Sequence, residues 1–416
     1  MAVRAPQLYR PLRCFCLAAF SQLAADVESG AEIPFAFEEH AGRGRSSLYE
    51  YRLLVRSYVE ARAGRLGALA DARIAVEELR QEPAAAIYAG ARGGATDGGG
   101  GNGPLVRTIL LPLVADVAEG CGGFDWSDEV YERVYARLER SLLGERRTYA
   151  AVAPLVGISI GAQLELGGGL RVRGAASGEL AAHWPEASGL LPPEFGRAPD
   201  RLCVLELERA LPPELPEPPD APGELADAIT ALRLAAAAPV AAGPVLFERL
   251  DWRPLAIRPV LPIAATAPPG QPSRVDPVRG RLAADLLERL ASAEEDAELA
   301  EALDRWELSL FADEPFRTEQ LREALTALLG GADGVWAAAV RAAVLLGESG
   351  KERAEQLERL RALSRGEPVG GAADAVRRAV VETLVHGDRV ALVAALDEAL
   401  VGARPRPAGY FAALAS

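Results

Sequence analysis

From position 278 to 401 every apolar pattern in the chain has helical spacing, and this run limits the fold of the last third more than any other feature. Candidate helices occupy 279–293, 296–310, 317–329, 334–346, 351–363, 372–385 and 389–401, separated by short turns. Such an arrangement is expected to close into a compact all-α bundle over 278–402. The segments share Ala-rich composition without a fixed period, so a repeat architecture is not expected.

The chain before the bundle has a different texture. Over 149–266 strand signals dominate. Residues 154–160 are strand-like, and Leu164-Glu165-Leu166 and Leu170-Arg171-Val172-Arg173 alternate around Gly167-Gly168-Gly169, the signature of a hairpin. Another strand is expected at 202–207, a short helix at 179–184, a helix at 224–236, and Pro-interrupted edge strands over 245–264. A Pro-rich loop covers 212–222, and a linker is expected at 267–277.

Residues 1–148 read as a mostly helical N-terminal region. Helical spacing is expected over 48–79. The apolar stretch 105–117 suits a strand or a buried helix, and Ser127 caps a helix whose first turn holds Asp128 and Glu129. The Gly-rich tract at 90–103 is expected to be a loop. It lacks the Gly-Lys-Ser/Thr ending of a phosphate-binding loop. The fold class is therefore α+β: an N-terminal mixed α/β region with antiparallel strands, then a C-terminal helical bundle.

With 416 residues, half of them hydrophobic, the chain can bury more than one core. A net charge of −14 argues against gripping nucleic acid by bulk electrostatics. Lys351 is the only lysine, so any basic site must be built from Arg. Cys14, Cys16, Cys121 and Cys203 lack the spacing of a structural zinc site and read as reduced thiols of a cytoplasmic protein. Residues 14–20 faintly mimic a signal peptide but lack its cleavage pattern, and are expected to be buried in the first domain. No apolar run reaches membrane-spanning length. No cofactor fingerprint or metal site is expected. Gly157-Ile158-Ser159-Ile160-Gly161 matches a nucleophile elbow by letter, but no helix is expected directly after it.

There are three histidines, His40, His183 and His386. Only His386 closes a strongly helical segment beside charged groups, Glu382 one turn before and Arg389 just after. Histidine is the side chain best suited to move protons near neutral pH, so His386 is the first catalytic candidate.

In order and rough spacing, four segments resemble a known family: Ala302-Leu303-Asp304-Arg305-Trp306-Glu307-Leu308-Ser309-Leu310, Glu323-Ala324-Leu325-Thr326-Ala327-Leu328-Leu329, Arg341-Ala342-Ala343-Val344-Leu345-Leu346-Gly347 and Val385-His386-Gly387. Together they resemble the Apea-like branch of the HEPN superfamily. The stretches Leu164–Arg173 and Ala231-Leu232-Arg233-Leu234 resemble the β-containing region that often precedes that bundle. The resemblance implies an RNA- or defence-associated protein, commonly a homodimer formed through the bundle. Active relatives are metal-independent RNases that use an Arg, four to six intervening residues and a His. The His handles the 2′-hydroxyl or leaving-group proton, and the Arg stabilises the phosphorane-like charge.

This chain departs from that motif. Val381 stands where the family usually carries Arg. Arg378 lies eight residues before His386, about 80° around a helix. The expected site is therefore His386 with Arg378, Glu382 and Arg389, in a degraded RNase motif. Three functions are weighed: a non-catalytic HEPN-like protein, a metal-independent RNase using His386, and a scaffold or complex subunit whose bundle mediates oligomerisation. Arg305 and Arg341 are expected in surface salt bridges, and Trp306 and Trp336 in the core.

Overall fold

The computed structural model describes residues 6–40, 48–92, 103–143, 147–175, 179, 203–211, 219–243, 245–259, 272–293 and 295–409. Most of the Gly-rich tract, the segment holding His183, most of the Pro-rich loop, the end of the expected edge strands at 260–264 and residues 267–271 of the expected linker lie outside them. The chain divides into two compact units. One comprises Met1–Leu225, Ala242–Val260 and Arg274–Pro277; the other comprises Ala226–Ala241, Leu261–Ser273 and Val278–Ser416.

In the first unit, helices α1 (Pro6–Glu28), α2 (Val55–Glu60), α3 (Ala63–Gly67), α4 (Ala70–Arg80), α5 (Pro83–Ala91), α6 (Gly103–Leu105), α7 (Leu111–Cys121) and α8 (Asp128–Leu143) surround one core. Residues 14–20 fall in α1, where Phe15, Cys16, Ala19 and Phe20 are buried, as expected. The stretch 105–117 is helical, passing through a π turn at Val106–Leu110 into α7. Its continuous apolar character reflects burial rather than strand formation, with Leu110, Val114 and Val117 fully enclosed. An aromatic cluster of Tyr9, Phe20, Phe124, Trp126, Tyr131 and Tyr135 fills one end, with edge-on pairs 5.0–5.9 Å apart.

The helical expectation over 48–79 fails at its start. Leu48–Leu53 is strand β2, paired antiparallel with β1 (Phe35–His40) in the register Phe35↔Leu53 to His40↔Leu48. Its two tyrosines favour an extended chain, and helical geometry begins only at Val55.

The main sheet of this unit contains β3 (Arg147–Val156), β5 (Leu164–Gly167), β6 (Leu170–Gly174), β7 (Cys203–Leu211), β8 (Ala241–Ala242), β9 (Val245–Leu250) and β10 (Arg253–Pro259). Its order is β10-β9-β3-β7-β6-β5, with β8 also on β3. Along this order each neighbouring pair from β10 to β5 runs antiparallel. Strands β4 (Ile158–Ile160) and β11 (Ser273–Val275) form a separate pair. Ser159 thus sits in a strand, and the elbow geometry is absent there.

The expected β5–β6 hairpin is present, turning through Gly167, Gly168 and Gly169, all with positive φ. Gly169 is required twice. Its φ is +86°, and a Cβ there would lie 2.3 Å from the Glu208 carbonyl oxygen on the neighbouring strand. Helix α9 (Ala221–Ala236) follows β7.

The second unit holds α10 (Pro277–Ala293), α11 (Ala297–Phe311), α12 (Phe316–Leu329), α13 (Gly334–Leu346), α14 (Gly350–Ser364), α15 (Ala372–His386) and α16 (Arg389–Leu400). Every expected bundle helix is present, its ends displaced by two residues at most. The caps explain this legibility. Asp296 accepts from the Glu298 and Leu299 amides, and Ser349 with Glu352 forms a reciprocal capping box at α14. Trp306, 1% exposed, anchors the core, and its Nε1 donates to the Ala373 carbonyl at 3.2 Å.

Two expectations fail in this unit. Trp336 is 49% exposed, because the first turn of α13 lies at the surface. Arg341 forms ion pairs as expected, but it is buried: its guanidinium binds Asp333 and Asp397 and donates to the Leu329 carbonyl at 2.8 Å. Arg305 forms the expected pairs, at 2.6 Å to Glu301 and 2.8 Å to Glu323. No helix among the described residues is long and apolar enough to cross a membrane.

Candidate functional site

Helix α15 carries the leading candidate at its last residue. Its termini are set by glycines in left-handed conformations, Gly371 before it and Gly387 (φ +81°) after it, and the Gly387 amide donates to the Thr383 carbonyl at 3.1 Å. His386 is therefore pushed out of the core and is exposed. Its Nδ1 lies 3.0 Å from the Asp388 carbonyl oxygen. A carbonyl can only accept, so this contact places the proton on Nδ1 and leaves Nε2 as the nitrogen for acid–base work. Asp388 in turn caps α16 through the Ala391 amide at 2.9 Å. From α10, Arg289 reaches the same corner and donates to the Val385 carbonyl at 3.2 Å.

The other expected site residues point elsewhere. Arg389 is held by Asp296, with Nε 2.8 Å from Oδ2, and by Glu298, with Nη2 3.0 Å from Oε2. Burial alone would raise the Asp296 carboxyl, but the Leu299 amide and the Arg389 guanidinium outweigh it and hold it below its ordinary value. Glu382 is buried, and its carboxylate lies against the backbone at Gly409. Arg378 is half-buried and within electrostatic reach of Glu352 at the start of α14. Arg377 is spent on Asp374 at 2.8 Å and on the Leu234 carbonyl at 2.7 Å.

Residues upstream of His386 settle where an arginine can stand. With four to six intervening residues the partner position is 381, 380 or 379. Val381, Val380 and Ala379 are each fully buried in the bundle core.

A cleft of about 340 Å³ opens in this unit, lined by Arg317, Thr318, Leu321, Val369 and Gly371 among others. It lies at the start of α15, whereas His386 ends that helix about 20 Å away.

Sequence reasoning missed a second cluster, in the first unit. Arg171 and Arg173 on β6 stand opposite Glu206 and Val204 on β7. The polar positions of this alternation are buried along with the apolar ones. Arg171 is 7% exposed, Arg173 5%, and Glu206, Glu179 and Arg249 are 0%. Arg173 grips Glu179 with two bonds, at 2.6 and 2.9 Å, and its Nε reaches Glu206 at 2.6 Å. The Arg171 Nε binds Glu206 at 2.9 Å, its Nη2 binds Glu208, and Ser141 donates to Glu208 at 3.1 Å. Burial would raise the Glu206 carboxyl, yet Arg171, Arg173 and Arg92 hold it well below its ordinary value. The available signal was two strands carrying opposite charges at matching two-residue spacing, Arg171/Arg173 and Glu206/Glu208.

No family model, curated protein or solved structure matches the chain.

Proposed function

We propose that the protein is HEPN-like and RNA- or defence-associated, and that its C-terminal bundle works by binding rather than by cleaving RNA. The observation that carries the non-catalytic reading is the burial of Ala379, Val380 and Val381, the positions from which an arginine would serve His386. An arginine at any of them would bring a charge into an apolar core. The nearby arginines do not replace it. Arg389 and Arg377 are neutralised by carboxylates, so little of their charge remains for a phosphorane-like transition state. His386 is exposed at a helix end, away from the cleft beside α12.

The test is incubation of the purified full chain with labelled RNA in excess EDTA, beside His386→Ala. Both proteins are expected to leave the RNA intact. Cleavage by the native chain that disappears in His386→Ala overturns the proposal and establishes the RNase reading.

A second reading, a scaffold whose bundle mediates self-association, is favoured by one observation. Phe316, Trp336, Val390 and Val401 are large apolar side chains between 49% and 80% exposed in the helical unit. Sedimentation is expected to give a species heavier than the 43.9 kDa chain; a 43.9 kDa species at every concentration rules this reading out.

A further inference from the structure

Among the described residues, the buried charge cluster of the first unit holds more guanidiniums than carboxylates. Arg92, Arg171, Arg173 and Arg249 share Glu179, Glu206 and Glu208. The bonds are also unequally divided. Arg171 and Arg173 hold the carboxylates at 2.9 Å or less. Arg249 has one long contact, Nη2 to Glu179 at 3.4 Å, and Arg92 stands 3.6 Å from Glu206.

These two loosely held groups are the ones with unused donors. Nε and Nη1 of Arg249 and Nε of Arg92 are buried without a hydrogen-bond partner. Arg249 is 0% exposed and Arg92 9%. Both guanidiniums also lie near the same indole, that of Trp252, at 6.0 and 5.6 Å from its centre. An arginine stays protonated in a protein, so it cannot relieve its burial by losing a proton. Buried N–H groups are nearly always paired, and an unpaired buried cation is costlier than an unpaired neutral group. Three buried, unpartnered donors on two cationic side chains call for an acceptor that is itself negative.

We infer that Arg92 and Arg249 bind a small oxyanion beside Trp252, and that this anion completes the buried network. Arg171 and Arg173 are saturated by Glu206, Glu208 and Glu179 and serve as the frame. Arg92, the C-cap of α5, and Arg249, on β9, supply the donors. A phosphate and a carboxylate offer the same oxygen acceptors, so the inference is to oxyanion chemistry, and the experiment separates the two.

The experiment is equilibrium unfolding of the full chain in sodium phosphate, in sodium acetate and in sodium chloride at matched ionic strength. Unfolding exposes the buried arginines, so slow entry does not hide binding. The unfolding midpoint is expected to rise with the logarithm of phosphate or acetate concentration, and not with chloride. Phosphate also stabilises proteins by exclusion from their surface, so the oxyanion whose rise is larger in the native chain than in the arginine variants identifies the ligand class. Arg249→Met is expected to abolish the rise. Should that variant fail to fold, Arg92→Met, at the rim of the cluster, is expected to reduce the rise at least tenfold in apparent affinity. Phosphate and acetate curves that coincide with chloride overturn the inference. So does a folded Arg249→Met or Arg92→Met variant that responds as the native chain does. The readout is independent of RNA cleavage, so it leaves the reading of the helical bundle untouched.

Discussion

Replacing Trp306 with Ala removes an anchor that is 1% exposed and leaves the Ala373 carbonyl without its indole donor. The expected loss is about 3–5 kcal/mol, measured by urea unfolding of the full chain followed on the helical signal. Trp336→Ala, at a site 49% exposed, is expected to cost less than about 1 kcal/mol in the same experiment. A second residue-scale test falls on Gly169. The Gly169→Ala methyl would meet the Glu208 carbonyl in a backbone conformation that L side chains rarely adopt, and the expected cost is about 1–3 kcal/mol. Single residues were the least legible part of the chain. Trp306 and Trp336 look alike in sequence, each on an Ala-rich helix, and only the facing of the helices separates core from surface. Arg341 was readable as an ion-pairing residue but not as a buried one, because Asp397 lies 56 positions away.

At the scale of elements, local chemistry decided what could be read. The bundle helices carry their own start and stop signals, so their ends fell within two residues of expectation. Ser349→Ala removes half of the α14 capping box and is expected to cost about 1 kcal/mol, with Glu352 left in place. The β1–β2 pair was missed because its second strand runs directly into a helix, so the helical spacing that follows Val55 reads back over Leu48–Leu53. The burial of the charged face of the main sheet was not legible either. Alternation tells that one face differs from the other, not which face is buried. That face makes a prediction about pH. Glu206 and Glu179 have folded values below their ordinary ones, so their contribution is fully present above the unfolded-state value, about 4.3. Protons must be taken up on unfolding, so stability is lost progressively as the pH falls below about 4.3. Urea midpoints between pH 7 and 3 are expected to be level at first and then to drop. A flat profile down to pH 3 would contradict the role assigned to the network.

At the scale of the whole molecule, the α+β class and the order of its parts were legible from texture alone. Strand-rich sequence sits in the middle, and uninterrupted helical periodicity lies at the end. The candidate site was legible only in part. His386 stands where its helix ends, as the Gly after it indicated, but the residues expected around it serve other partners: Arg389 binds Asp296 and Glu298, and Glu382 lies against Gly409. Those partners come from distant positions, which spacing along one helix cannot reveal. The central claim is that the bundle core occupies the place where a catalytic arginine would have to stand. Val381→Arg, which places an arginine with four residues between it and His386 as the proposed HEPN-like reading would require for cleavage, tests it most directly when RNA cleavage in EDTA is measured on the protein that remains folded. The account predicts a loss of several kcal/mol of stability, about 3–5 for an unpaired buried charge, and no cleavage. A stable Val381→Arg protein that cleaves RNA, and stops when His386 is also replaced by Ala, would contradict it.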